Sequence, residues 1–215
     1  MEQALATNPL VDLPSSREKI LDVAEQLFSR RGYAGVGLRE VADGVGLGKS
    51  SLFHHFRSKD QLYAELLGRV LRRLRNQLRP IVTAELAPAE KLVRWIEALV
   101  DALAEQPASA RLLVRELVED GQFQSEELPE AVEATQVLSE ILGGIRQLLA
   151  EGIEQGVFRQ VSIPHTVQTL IGATVYHFAS GEFGDGLLGR SLFSAEAVKT
   201  RKQELIATLQ QGWMA

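Results

Sequence analysis

At 215 residues with 45% hydrophobic side chains, the chain is long enough to bury a sizeable core in one or two domains. It contains no cysteine, which excludes a disulfide framework, a thiolate metal site and a cysteine nucleophile. The net charge of −5 is unevenly divided: residues 1–80 carry 13 Lys+Arg against 9 Asp+Glu (+4), and residues 81–215 carry 10 against 19 (−9), an asymmetry that suggests a basic unit joined to an unrelated acidic one.

Residues 1–14 contain Pro9 and Pro14, carry Glu2 and Asp12, and have no Lys or Arg. They are expected to form a loose arm with little to offer phosphates. They lack the basic start and continuous apolar stretch of a secretory signal, and no apolar run approaches the ~20 residues that span a bilayer. A cytoplasmic location is expected.

Ser15-Ser16-Arg17-Glu18 reads as a capping box, with Ser15 at the N-cap and Glu18 three positions on. Ile20, Ala24, Leu27 and Phe28 share one face of the helix that follows, and Arg30, Arg31 and Gly32 mark its end. Leu38, Val41, Ala42 and Val45 define a second short helix. Gly44, Gly46 and Gly48 then crowd into a turn. After the turn Leu52, Phe53 and Phe56 can anchor a third helix on the second. Lys49, Ser50, Ser51, His54 and His55 are left facing outward, all able to meet base edges or phosphates. No carboxylate lies between Asp43 and Asp60, which suits a surface that approaches a polyanion. This is the pattern of a helix-turn-helix, whose second helix enters the major groove.

The string ending Gly48-Lys49-Ser50 also invites comparison with a phosphate-cradling loop. That motif needs a Gly where Asp43 stands and a buried strand before it, whereas Leu38–Asp43 carries three charges at helical spacing. A nucleotide-binding enzyme of this kind is the competing reading, and a non-enzymatic helical scaffold is a second.

Arg17 to Leu66 resembles the DNA-binding head of the tetracycline-repressor (TetR) family. The matching residues are Ala24, Phe28, Gly32, Tyr33, Val41, Ala42, Gly46, Lys49, Leu52, Phe53, His54, Phe56, Lys59 and Leu62. The chain departs from the family pattern at Gly37 and Gly48, where Ser or Thr is usual, and at Phe53, where Tyr is common. A phosphate anchor at Gly48 is then lost or moves to Ser50 or Ser51. The resemblance implies a homodimer on a palindromic operator, acting as a repressor that a small ligand entering the C-terminal domain releases. The DNA-contacting set is expected to be Arg39, Gly48, Lys49, Ser50, Ser51, His54, His55 and Lys59.

Ser58 can cap a fourth helix, in which Leu62, Leu66, Val70, Leu74 and Leu78 follow at four-residue steps until Pro80 stops it. Lys59 in its first turn is a candidate phosphate clamp. Arg69, Arg72, Arg73, Arg75 and Arg79 along its later turns are expected to be solvated or paired with the acidic body rather than on DNA. A fifth helix from Pro88 carries Leu92, Trp95, Ile96, Leu99 and Leu103 inward; a sixth runs from Pro107 towards Gly121; residues 121–128 read as a polar loop. Pro129 to Gln155 forms a seventh, with Gly143-Gly144 leaving room for a ligand, a bend or a close neighbour. An eighth starts near Ser162 and Pro164, residues 180–193 read as a glycine-rich connector, and Ala195 to Gly212 forms a ninth.

The expected fold is therefore all-α, with about nine helices: an arm (1–14), a three-helix DNA-binding domain (15–61) and a larger helical effector-binding and dimerisation domain (62–215). By the resemblance, an apolar effector pocket draws on Trp95, Leu99, Leu103, Leu117, Phe123, Ile141, Ile145, His177 and Phe178, and its ligand is apolar or amphipathic. A two-fold interface draws on Val167, Leu170, Ile171, Thr174, Val175, Val198, Leu205, Ile206 and Leu209. The four histidines offer no His-x-x-x-His pair, and adjacent His54 and His55 point about 100° apart on a helix. No metal, cofactor or catalytic residue is expected, and the chain is read as a regulator rather than an enzyme.

Overall fold

The computed structural model describes residues 15–118 and 128–213, and the elements among them are all helices. In chain order these are α1 (Ser16–Arg31), α2 (Leu38–Val45), α3 (Lys49–His55), α4 (Lys59–Val82), α5 (Pro88–Glu105), α6 (Pro107–Val118) and α7 (Pro129–Glu154). They are followed by α8 (Ile163–Ile171), a π-helical turn (Gly172–Tyr176), α9 (His177–Ala179), α10 (Glu182–Leu188) and α11 (Ala195–Trp213).

The start signals act as expected, with one change of partner. Ser15 Oγ accepts the Glu18 N–H at 3.2 Å, and Ser58 Oγ accepts the Gln61 N–H at 3.1 Å. The Glu18 carboxylate is drawn instead to Arg69, 3.1 Å away. At α2 the glycine N-cap has no side chain to offer, so the cap rests on Glu40, whose carboxylate accepts the Gly37 N–H at 3.0 Å.

Three features depart from the expected nine helices. Pro80 does not stop α4, which runs on to Val82. A proline this close to a helix end disturbs little, and Thr83 Oγ1 donates to the Arg79 and Pro80 carbonyls at 3.2 and 3.3 Å. The eighth helix widens into a π turn where its small residues lie; there Arg201 of α11 donates to the Ala173 carbonyl, and Thr174 Oγ1 donates to Leu170 O at 2.7 Å. Residues 180–193, expected to be a connector, contain α10. One of its glycines serves packing, because a Cβ on Gly184 would stand 2.7 Å from Leu192 Cδ1, while Gly181 and Gly189 cap it at positive φ.

Two cores share α4, whose 24 residues span about 36 Å at ~1.5 Å per residue. Its first half joins Ile20, Phe28, Val41, Leu52 and Phe56 of the head in one cluster, which also takes in Leu112 of α6 and Ala134 and Val137 of α7. Its second half, from Leu74, joins α5, α7, α8 and α11 in the other. The boundary expected after Gln61 thus falls within the first turn of the helix that both cores use.

Head and body are joined by charge as well as by apolar contact. Arg69 of α4 is 7% exposed and donates to Glu18, Asp22 and Glu25 of α1, at 3.1, 2.7 and 2.7 Å. Glu25, 3% exposed, also accepts from Arg73 at 3.1 Å and from Ser109 Oγ of α6 at 2.9 Å. Burial by itself lowers the Arg69 pKa, but the hydrogen bond to Asp22 and the surrounding carboxylates outweigh it and leave the pKa raised. The arginines expected to be solvated or paired with the body therefore divide: Arg69 and Arg73 pair with the head, while Arg72 and Arg75 reach Glu133 and Glu140 of α7, at 2.8 and 3.3 Å.

Removing one member of a buried ion network leaves the others uncompensated. Arg69→Ala should lower the unfolding free energy by about 3–5 kcal/mol, measured by urea denaturation. A loss below about 1 kcal/mol would mean the cluster behaves as a solvated surface pair.

Candidate nucleic-acid interface and apolar cavity

The geometry of the second and third helices follows from two glycines. Gly46 ends α2 in the left-handed region at φ +74°, ψ 26°, turning the chain into α3. Gly44 lets α2 approach α1, since a Cβ there would lie 2.7 Å from Val23 Cγ1. Leu52 and Phe56, both 0% exposed, anchor α3. Phe53, expected as a third anchor, is 37% exposed and carries the Lys49 ammonium 5.7 Å from its ring centroid. The helical register explains this: Phe53 sits one position past Leu52 and so about 100° off the buried face.

Arg17 fixes the far end of α3. Its Nε donates to Glu65 Oε1 and its Nη1 to the His55 carbonyl, both at 2.8 Å, while the guanidinium lies 4.5 Å from the Phe56 ring centroid. One α1 side chain thus ties α3 to α4.

Of the eight residues expected at DNA, Arg39, Gly48, Lys49, Ser50 and His54 are exposed, and Ser51, His55 and Lys59 are half-buried. Among the described residues Arg39 pairs only with Asp43 at 3.9 Å, both well exposed, a pair too weak to hold it. Lys59 is more committed: its ammonium sits 4.1 Å from the Tyr33 ring centroid, and burial lowers its pKa against the opposing charge of Asp60. The Tyr33 hydroxyl donates to Asp60, and burial together with that bond pushes the phenol pKa up. Residues 38–45 are helical, so the strand that a phosphate loop requires does not precede Lys49.

The body holds a cavity of about 300 Å³ between α4, α5, α6, α7 and the π turn. Of the residues expected at an effector pocket, Trp95, Leu99, Leu117 and Ile141 line it. Leu103, Ile145 and Phe178, expected there too, are instead 0% exposed within the core. His177 lines a different hollow of about 480 Å³, beside Arg201; Phe123 lies outside the described residues. The lining also includes Leu67, Leu71, Leu74 and Leu78 of α4, Leu113 of α6, and Leu138 and Leu142 of α7. The four-residue leucine step of α4 signalled burial, but not that part of that face borders a void.

The expected interface residues fall largely inside the protomer. Val167, Leu170, Thr174, Val175, Leu205 and Leu209 are buried in its own core, and Ile171, Val198 and Ile206 are half-buried against it. Ile171 and Val175 line the apolar cavity. The reason is that α8 and α11 turn their apolar stripes inward, onto α5 and α7. Large apolar side chains are exposed instead at Tyr176, Phe183, Leu187 and Leu188, which border the hollow beside Arg201. Reading 180–193 as a connector hid three of these four.

The profile described as "Bacterial regulatory proteins, tetR family" matches residues 20–66, and that described as "Tetracyclin repressor-like, C-terminal domain" matches residues 88–209. The HTH-type transcriptional repressor KstR2 of Mycolicibacterium smegmatis is 33% identical over 44% of this chain and 46% of its own length. The KstR2 of Rhodococcus jostii is 32% identical over 66% of this chain and 68% of its own. The chain thus spans under half of the first of these relatives and about two thirds of the second. In fold, it is similar to the ketosteroid transcriptional regulator KstR2 of Mycobacterium tuberculosis (TM-score 0.76, 24% identity, 95% of this chain and 97% of that one). It is also similar in fold to AibR in complex with isovaleryl coenzyme A and operator DNA (TM-score 0.72, 15% identity, 90% of this chain and 97% of that one).

One titratable group in the second hollow is strongly perturbed. Burial, followed by the charge of Arg201, lowers the His177 pKa from its ordinary 6.5 to about 4. The unfolded chain therefore takes up a proton below pH 6.5 that the folded chain refuses, so stability declines as pH falls from 6.5 towards about 4. His177→Gln should lack that part of the decline in thermal melts across this range. Identical pH profiles for the two proteins would remove His177 as a source.

Proposed function

The chain belongs to the TetR family of bacterial regulatory proteins, and we propose that it is a homodimeric transcriptional repressor that binds a palindromic operator and is released by a small apolar or amphipathic ligand. The observation that carries the DNA reading is the exposed face of α3. Lys49, Ser50 and His54 stand outward on a helix anchored by the buried Leu52 and its C-cap Phe56, with no carboxylate from residue 44 to residue 59. Lys49 leaves its contact with an exposed Phe53 at a cost of about 0.5–1 kcal/mol, which a phosphate readily offsets. Arg39, held only weakly by Asp43, adds a second cation, and Lys59 a third once DNA draws it from Tyr33. The protein acts in the cytoplasm, where a bacterial regulator meets DNA.

The apolar cavity supports the ligand part of this reading, because it sits on the helices that carry the head. The relatives that are transcriptional repressors support repression, and the AibR complex supports a site for a small ligand in a body of this shape.

For the dimer, the partner surface is the exposed apolar strip of Tyr176, Phe183, Leu187 and Leu188 with the outer face of α11. This strip replaces the inward residues of α8 and α11. On this reading a two-fold mate brings a second α3 to the same duplex, where half-sites of this motif stand about one helical turn apart (~34–36 Å).

Lys49→Ala should weaken binding to all DNA sequences alike and reduce the slope of log K against log salt by about 1. His54→Ala should instead change the preferred sequence in a selection from random DNA. An unchanged slope in the first and the wild-type site in the second would place DNA on another surface. Leu187→Asp should give a monomer in sedimentation at micromolar concentration and reduce operator affinity with it. A dimer that persists would move the axis elsewhere.

A further inference from the structure

The apolar cavity has a polar neighbour. A bay of about 400 Å³ opens between α4 and α7, lined by Arg75, Arg79 and Thr83 on one side and by Glu140, Gly143 and Gln147 on the other. Leu78, Trp95 and Ile141 line both spaces, so the two meet across three side chains. The inner chamber is apolar except for Glu116, whose carboxylate accepts from the Tyr63 hydroxyl at 3.1 Å. The bay carries two guanidinium groups against one carboxylate. Arg75 is held to Glu140 by a 3.3 Å contact, and Arg79 is exposed with no ion pair among the described residues. Gly143 faces open space in the bay, since a Cβ there would meet nothing within 4 Å.

We propose that this pair of spaces takes an amphipathic anion, its apolar body in the chamber between α4 and α7 and its carboxylate or phosphate head in the bay at Arg75 and Arg79. The inference rests on the reading of the chamber as an effector site, and adds the charge and the direction of the ligand. Orientation follows from the lining: no cationic side chain lines the chamber, while the guanidinium groups attract an anion at the outer end. An apolar body alone would fill about 300 Å³, the low end for small-molecule sites, and the bay more than doubles the space. The head group has two chemical sources, a free carboxylic acid and the phosphates of a nucleotide thioester, and both present oxygen acceptors to Arg75 and Arg79.

Trp95 lies on the shared wall and the chain has two tryptophans, so Trp213→Phe leaves a single fluorescent reporter at the junction. In that background we would titrate dodecanoate, dodecanoyl-coenzyme A and dodecanol. One or both anions should quench or shift Trp95 emission at lower concentration than dodecanol, and which of them binds more tightly identifies the head. Arg79→Ala should weaken the anions about tenfold and leave dodecanol unchanged. Gly143→Glu, which introduces a carboxylate into open space, should do the same without disturbing the fold. Equal binding of dodecanol and the anions, no response to any of the three, or loss of all binding alike in the two variants would overturn the proposal. Operator binding by the same preparation separates the two readings. DNA binding that no anion perturbs, with Trp95 silent, defeats the ligand proposal alone; absent DNA binding defeats the repressor reading, and the Trp95 titration still decides this one.

Discussion

The buried Arg69 guanidinium is the constraint on which the arrangement of the molecule turns. A cation removed from water at this depth is tolerable only if carboxylates surround it, and α1 supplies three of them at Glu18, Asp22 and Glu25. Those three positions lie on one helical face, four and three residues apart, so satisfying Arg69 fixes the rotation of α1 as well as its distance from α4. Glu25 in turn accepts from Ser109, which brings α6 into the same cluster. One charge network therefore sets the relation between the head, the long helix and the body.

The network also shares its helices with the cavity. Leu67, Leu71 and Leu74 border the void on α4 around Arg69 and Arg73, and Leu113 and Leu117 border it on α6, one and two turns beyond Ser109. An occupant that separates α4 from α6 acts on both sides of the Glu25 carboxylate. Close packing and hydrogen-bond geometry do not stretch gradually, so a displacement of this kind would move α1 as a unit, and Arg17 ties α1 to α3. The physical path between the two sites is thus short and made of named contacts.

Much of the head was legible in the sequence because its signals are local. The alternation of apolar and charged positions in α1 and α2, the crowded glycines, and the serines at the helix starts each act within a few residues. The body was less legible where the determinants are tertiary. Whether a leucine on α4 borders a core or a void depends on what faces it across the bundle. Whether the stripes of α8 and α11 face inward or outward depends on the rotation of both helices, and periodicity alone does not set it. The segment 180–193 read as a connector because glycine usually signals a turn, yet here Gly184 serves close packing inside a short helix. The pairing of Arg69 with the head rather than the body was equally beyond reach, since charge counts carry no geometry.

The central claim is that the outer face of α3 reads DNA while a two-fold mate does the same. Selection of genomic fragments by the purified full chain at about 100–150 mM salt tests this most directly. The account predicts enrichment of an inverted repeat whose half-sites are centred one helical turn, about 10 base pairs, or a multiple of it apart. Recovery of fragments with no common motif, or of single half-sites without a symmetric partner, would contradict it.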